Sequence, residues 1–322
     1  MSPRKIMVLF WLLMMAVFHG SSPGAALAAS RFLFSGNGHI HLVGEKNGED
    51  FSGRYRTSEG VYDDSAMTAI CRVFSAPCDG PDSAVSLRLV EYLDYLQDRL
   101  NPEGRITIVS GYRSPVYNTR IRQQGALAAK ASLHQYGMAA DLVLEGVPPK
   151  TLWETVQELS FGGAGYYHGK TVHVDTGPAR SWDETSSGVG TGLADDNKLI
   201  GLVTDFDIYR PGDAVTLRFI RMTAFPIALH RGFLLQKKNP EGDMETVNSF
   251  IPSFLVPADG GCPSFSGIEE MASIRYHLPE NLDPGSYAVS ARFCPNPWTE
   301  MPEEVSTPEF VVAGPEQIPE ER

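Results

Sequence analysis

The rhythm of hydrophobic residues changes once along this chain, and that change limits the folds open to it. Up to Trp182, stretches at helical spacing are interleaved with short alternating stretches, whereas from Lys198 onward only the alternating pattern remains. A mixed segment and an all-strand segment bury their apolar faces in different layer arrangements. The sequence therefore predicts an α+β domain over residues 30–182 and an all-β domain over residues 198–314. Residues 183–197, rich in Gly, Ser, Thr and Asp, read as a linker.

Residues 1–29 read as a secretory leader: Arg4 and Lys5 precede an apolar run from Ile6 to Phe18, and Ala26-Leu27-Ala28 offers a small-residue cleavage site. The run is short for a membrane span, although an uncleaved anchor is the alternative. Export predicts a periplasmic or secreted protein with no membrane span after the leader is removed. The net charge of the chain is −12; without the basic pair in the leader it moves to about −14. No basic patch stands out, which excludes nucleic acid and anionic lipid as expected partners. In an oxidising compartment the even set of Cys71, Cys78, Cys262 and Cys294 predicts local pairing, Cys71 with Cys78 and Cys262 with Cys294. Residues 315–322, acidic and proline-containing, read as a disordered tail.

Within the first domain, His39 to Val43 alternates and predicts a strand that turns back through residues 51–56. Asp63 or Asp64 caps a helix ending near Phe74. A longer helix over residues 84–100 carries Val85, Leu89, Leu93, Leu96 and Leu100 on one stripe. Residues 106–109 form a short apolar strand that delivers Ser110-Gly111-Tyr112-Arg113-Ser114-Pro115. A turn of this kind presents the Arg113 guanidinium either to a cleft, as a fork of donors for a carboxylate or oxyanion, or to a buried ion pair. A polar helix is expected after Asn118, a strand over residues 139–144 and an amphipathic helix over residues 148–160.

The chemistry concentrates between Ser132 and Asp175. His134 precedes Gly137 in a loop, Asp141 enters a strand, and His173 lies on a second strand after the turn His168-Gly169-Lys170. Two imidazoles and a carboxylate with an open fourth position suit Zn2+ and point to hydrolysis. Strand alternation puts Asp175 on the same face as His173.

Three motifs in order, Ser-Gly-Tyr-Arg-Ser-Pro at 110–115, Ser-x-His-x-x-Gly-x-Ala-x-Asp at 132–141, and Gly-x-Gly-Tyr-Tyr followed by Val-His-Val-Asp-Thr-Gly within 163–177, closely resemble the YcbK-like branch of the zinc D-Ala-D-Ala carboxypeptidase superfamily. The resemblance implies the hedgehog/DD-peptidase-like fold and a peptidase that cleaves bonds in peptidoglycan stems or cross-links. It also implies His134, Asp141 and His173 as zinc ligands and Arg113 as the residue that binds substrate and steadies the transition state. The general base departs from the pattern: Lys170 stands where some relatives place an acidic residue, and Thr171 where others place a histidine. Asp175 is the first candidate for that role and His168 the second, with orientation of His173 as the competing role for Asp175.

The second domain reads as an immunoglobulin-like sandwich, with strands separated by Pro-Gly, Asn-Pro and Asp-Pro-Gly turns and no catalytic cluster. It is expected to dock a wall component, a protein partner or the first domain. Two functions stay open: a zinc metallopeptidase acting on peptidoglycan, and a zinc-stabilised recognition protein on the same scaffold that does not catalyse.

Overall fold

The computed structural model describes residues 31–78, 85–126, 128–167, 169–183, 185–186, 196–254, 262–268, 270, 274–295 and 298–314. The expected leader, the acidic tail, most of the linker and His168 lie outside them.

The α+β half opens with the hairpin β1 (His39–Gly44) and β2 (Asp50–Arg54), followed by α1 (Asp64–Val73) and α2 (Leu87–Leu100). Asp63 caps α1 by accepting a hydrogen bond from the Ala66 N–H at 2.8 Å. Then come β3 (Ile106–Ser110), α3 (Pro115–Gln123), a 3-10 turn (Leu133–Tyr136), β4 (Ala139–Leu144), α4 (Pro149–Leu159), β5 (Gly163–Tyr166), β6 (Val172–Asp175) and β7 (Arg180–Asp183). The helix expected after Asn118 begins earlier. Ser114 caps it, accepting from the Tyr117 N–H, and Pro115 occupies the first position, where its missing N–H costs nothing.

These seven strands form one sheet in the order β2-β1-β3-β4-β6-β5-β7. The antiparallel register sets Asp141 on β4 opposite His173 on β6, and His173 opposite Gly165 on β5. Two of the three expected ligands are thus neighbours across one strand pair. The stripe expected on the second helix is core: Leu89, Leu93 and Leu96 are buried with Ile40, Leu42, Ile106 and Val174.

The β half holds β8 (Gly201–Thr204), β9 (Ile208–Tyr209), β10 (Ala214–Ile220), β11 (Ile227–Lys238), β12 (Met244–Phe250), β13 (Ser264–Phe265), β14 (Ile274–His277), β15 (Gly285–Phe293), β16 (Glu304–Ser306) and β17 (Phe310–Val312). One sheet runs β14-β10-β8; the other runs β12-β11-β15-β17-β9, with β13 on β11 and β16 on β15. Their inner faces share a core that includes Phe219, Ile227, Phe233, Val289 and Phe310.

That core does not stop at the β half, since Leu133, Tyr136, Met138 and Ala139 belong to the same buried cluster. Polar contacts tie the halves as well. Arg88 on α2 donates to Asp207 at 2.8 Å and to the Thr204 carbonyl at 2.9 Å, with both charged side chains nearly inaccessible. The Tyr136 hydroxyl accepts from the Met222 N–H at 3.0 Å.

The expected pairing of cysteines is half right. Cys262 and Cys294 form a disulfide closing a loop of sequence separation 32. No disulfide joins Cys71 to Cys78. Cys71 is turned to the inner face of α1 at 2% exposure, whereas the Cys78 thiol is directed to the Ala76 and Thr68 carbonyls. Among the described residues, no helix is long and apolar enough to cross a membrane.

Candidate metal centre

His134 sits in the 3-10 turn between α3 and β4. Gly137, at φ +62°, ends this turn in the left-handed region and lets the chain swing into β4. The His134 ring is fixed from behind: Nδ1 lies 2.7 Å from the Gly111 carbonyl, so Nδ1 carries the proton and Nε2 presents its lone pair forward. Burial pushes the His134 pKa down, which keeps the ring neutral. A neutral imidazole aimed by a backbone carbonyl is the form a metal binds.

His173 is oriented from the other side. Its Nε2 lies 2.9 Å from Asp175 Oδ2 and its Nδ1 lies 2.9 Å from Asp141 Oδ1. Burial opposes its charge most strongly, but hydrogen bonds and charge from the two carboxylates outweigh that and raise its pKa. Burial likewise opposes the Asp141 carboxylate, yet His134 and His173 hold its pKa well below the usual range. Arg113 completes this side, donating from Nη2 to Asp141 Oδ2 at 2.7 Å and from Nε to Ser110 at 3.0 Å. Arg113 therefore takes both of its expected places, lining the cleft while paired with a half-buried carboxylate.

His134, Asp141 and His173 bring one donor atom each to within 4.8 Å of the others. Ligand atoms about 2.0–2.1 Å from a tetrahedral zinc stand about 3.3 Å apart. The observed separations from Asp141 Oδ1, 3.5 Å to His134 Nε2 and 2.9 Å to His173 Nδ1, bracket that spacing. The donor set and its two separations from Asp141 are of the size a zinc-like cation needs. A second grouping, His230 with Cys262 and Cys294, offers no comparable set because its two sulfurs are joined in the disulfide.

Asp175 is completely buried and does not line the cleft. Its Oδ1 accepts from the Gly163 N–H (3.0 Å), the Gly177 N–H (2.9 Å) and Arg180 Nη1 (3.1 Å), and its Oδ2 accepts from Arg180 Nη2 (2.6 Å) and faces His173. Burial works against its charge, but Arg180 and then His173 hold its pKa far below the ordinary carboxylate value. Gly163 is required for this packing, since a Cβ there would lie 2.2 Å from Asp175 Oδ2. Both oxygens of this carboxylate are thus engaged, and Oδ2 lies against the His173 ring.

The cleft over the three candidate ligands encloses about 510 Å³ and is walled by Tyr167, Trp182, Arg180, Ser132 and Arg221 in addition to Arg113. Burial, reinforced by the Asp141 charge, pushes Tyr167 up to about 12, so it stands there as a phenol. The Trp182 ring packs on His173 with centroids 5.1 Å apart. Sequence reading missed Arg180, Trp182, Arg221 and the Gly111 carbonyl. Arg180 and Trp182 follow the last histidine motif closely, but nothing in their spacing marks them; Arg221 comes from the other half of the chain.

The family model described as "Peptidoglycan L,D-endopeptidase MepK", of the M15 peptidases, matches residues 35–182. Peptidoglycan L,D-endopeptidase MepK of Escherichia coli strain K12 is 37% identical over 95 residues, covering 29% of this chain and 52% of the relative. The probable peptidoglycan L,D-endopeptidase MepK of Haemophilus influenzae is 41% identical over 80 residues, covering 24% of this chain and 43% of the relative. The chain thus spans about half the length of the curated relatives it matches. Among solved structures, Spo0M, a sporulation control protein from Bacillus subtilis, aligns over 35% of this chain and 47% of its own at 10% identity, with a TM-score of 0.20 that carries no argument.

Proposed function

From a chain whose α+β half belongs to the M15-like peptidase family, we propose an exported zinc metallopeptidase that hydrolyses peptide bonds in peptidoglycan, as an L,D-endopeptidase. The observation that carries the reading is the set His134 Nε2, Asp141 Oδ1 and His173 Nδ1, each locked from behind and facing one open cleft. The relatives' names supply the substrate class, and the leader-like residues 1–29 supply the periplasmic or secreted location.

In this reading His134, Asp141 and His173 hold a zinc ion, which supplies Lewis acidity toward the scissile carbonyl and toward water. Arg113, its plane fixed by Asp141 and Ser110, donates its remaining N–H groups to the amide oxygen as negative charge develops. Asp175 keeps His173 in the tautomer with the proton on Nε2, and Arg180 keeps Asp175 charged. Tyr167 donates from its phenol to the bound peptide. Asp175 is committed to His173 and Arg180, so we assign proton acceptance from the attacking water to His168. Residues 30–182 and 198–314 are taken as two domains, the second an immunoglobulin-like sandwich that braces the first.

The alternative of a non-catalytic recognition protein draws on one feature: among the described residues lining the cleft, every carboxylate and imidazole is engaged at the proposed metal site. Digestion of purified murein with the zinc-loaded protein, its His134→Ala form and its His168→Ala form decides between them by product mass. Defined stem or cross-link fragments from the wild type, absent with His134→Ala, support the peptidase. One zinc per chain with no cleavage of murein or small cross-linked peptides would install the recognition protein instead. A His168→Ala form as active as the wild type would reject His168 as the proton acceptor.

A further inference from the structure

We propose that Arg221, contributed by the β half, is the residue that binds a free carboxylate of the peptide substrate in the catalytic cleft. The inference rests on the peptidase reading for the nature of the ligand and extends it to a residue beyond the 35–182 segment matched by the family model.

Three arginines line the cleft, and two of them are neutralised. Arg113 is paired with Asp141, and Arg180 with Asp175. Arg221 differs: its Nε is buried and, among the described residues, meets no hydrogen-bond partner. The carboxylate that acts on its charge is Asp175, whose oxygens are already taken by Arg180, His173 and two backbone N–H groups. Burial and the neighbouring Arg180 push the Arg221 pKa down to about 10, yet it stays charged at neutral pH. A largely desolvated guanidinium that lines the cleft and carries an unpaired donor is satisfied by an anion with two parallel acceptors, which a carboxylate provides.

The backbone around Arg221 is held for this purpose. Residue 221 directly follows β10 and adopts φ +60°, a left-handed conformation uncommon for a residue with a long side chain. The next residue donates its N–H to Tyr136 Oη, and Arg218 Nη1 reaches the Tyr136 carbonyl at 3.3 Å. Tyr136 closes the same 3-10 turn that carries His134. The β half is therefore fastened to the ligand-bearing turn next to the point where Arg221 enters the cleft. That arrangement fixes the distance between the metal centre and the carboxylate site, so substrates are selected by where their charge lies relative to the scissile bond.

The test is equilibrium binding to the metal-free full-length protein, by calorimetry, of a synthetic murein stem peptide with free carboxylates and of the same peptide with its carboxylates amidated. Wild type is expected to prefer the carboxylate form by roughly tenfold or more, as a charge-assisted bidentate pair provides. Arg221→Gln should bring the two peptides to within about twofold while leaving the amide's affinity unchanged, and Arg221→Lys should retain part of the preference. Unaltered thermal unfolding of both variants shows that the fold is intact. A carboxylate preference that survives in Arg221→Gln, or its absence in the wild type, overturns the proposal. Murein digestion separates this from the peptidase reading. Arg221-dependent binding without cleavage sustains the carboxylate site and rejects the enzyme, whereas cleavage with a KM indifferent to Arg221→Gln does the reverse.

Discussion

Asp175→Asn separates the two roles available to this carboxylate. The amide oxygen can replace Oδ1 and keep the Gly163 and Gly177 N–H donors, at 3.0 and 2.9 Å. Its NH₂ then takes the place of Oδ2, where it faces Arg180 Nη2, another donor, and His173 Nε2. To accept from that NH₂, Nε2 must lose its proton and Nδ1 must gain one, and Nδ1 is the atom aimed at Asp141 and the metal position. Loss of a partner that orients a metal ligand weakens metal binding by about 10–100-fold, equivalent to about 1.4–2.8 kcal/mol. Competition against a chromogenic chelator reads the affinity, and single-turnover cleavage at saturating zinc reads the chemistry. The expected result is weakened zinc binding with cleavage largely restored once zinc saturates. Unchanged zinc affinity with cleavage abolished would refute the orienting role and make Asp175 the base.

Three further outcomes follow from the packing. His134→Ala removes a proposed ligand whose Nδ1 is anchored to Gly111, and should abolish stoichiometric zinc binding in equilibrium dialysis while the fold survives in circular dichroism. Burial raises Asp94 to about 7 although its Oδ2 accepts from Tyr55 and the Gly38 N–H. Its folded pKa exceeds the unfolded one, so its contribution to stability is complete below about pH 4 and is lost as the pH climbs through 7, by at most about 4 kcal/mol. Asp94→Asn should flatten that decline in urea titrations between pH 4 and 8; an unchanged slope would assign the pH dependence elsewhere. Arg88→Met strands Asp207 at the junction of the halves and should cost about 3–5 kcal/mol. Adding Asp207→Asn should recover part of that loss, and additive losses in the double variant would contradict a direct pair.

What could be read in advance was what depends on short-range pattern. Alternation placed His173 and Asp175 on one face, and their 2.9 Å contact follows from it. Helical spacing found the buried stripe of α2, and the three motifs pointed to the residues that the fold brings together as the candidate metal set. Local spacing failed where neighbouring elements, rather than the residue's own stretch, decide what a side chain meets. Cys71 and Cys78 are near in sequence, but the direction of the α1 face decides their contacts. The partners of Asp175 beyond His173 were not legible, because Gly163 and Arg180, which take up its oxygens, arrive from β5 and β7. The α3 boundary was misplaced for a different reason: Ser114-Pro115 is itself a helix-start signal, and its turn-like reading as the frame for Arg113 hid it.

The junction between the halves is where sequence reading had least to offer and where the structure bears most on function. A linker-like composition at 183–197 suggests domains that move independently. Arg88 with Asp207, Tyr136 with Met222, and a core cluster spanning both halves instead join them through buried polar and apolar contacts. Separation would strand buried charges and expose Leu133, which opens the His134 turn, and Met138, which follows it. The β half is thus part of what holds the proposed ligand His134 in place. Its loss should loosen the ligand set as well as remove Arg221 from the cleft wall.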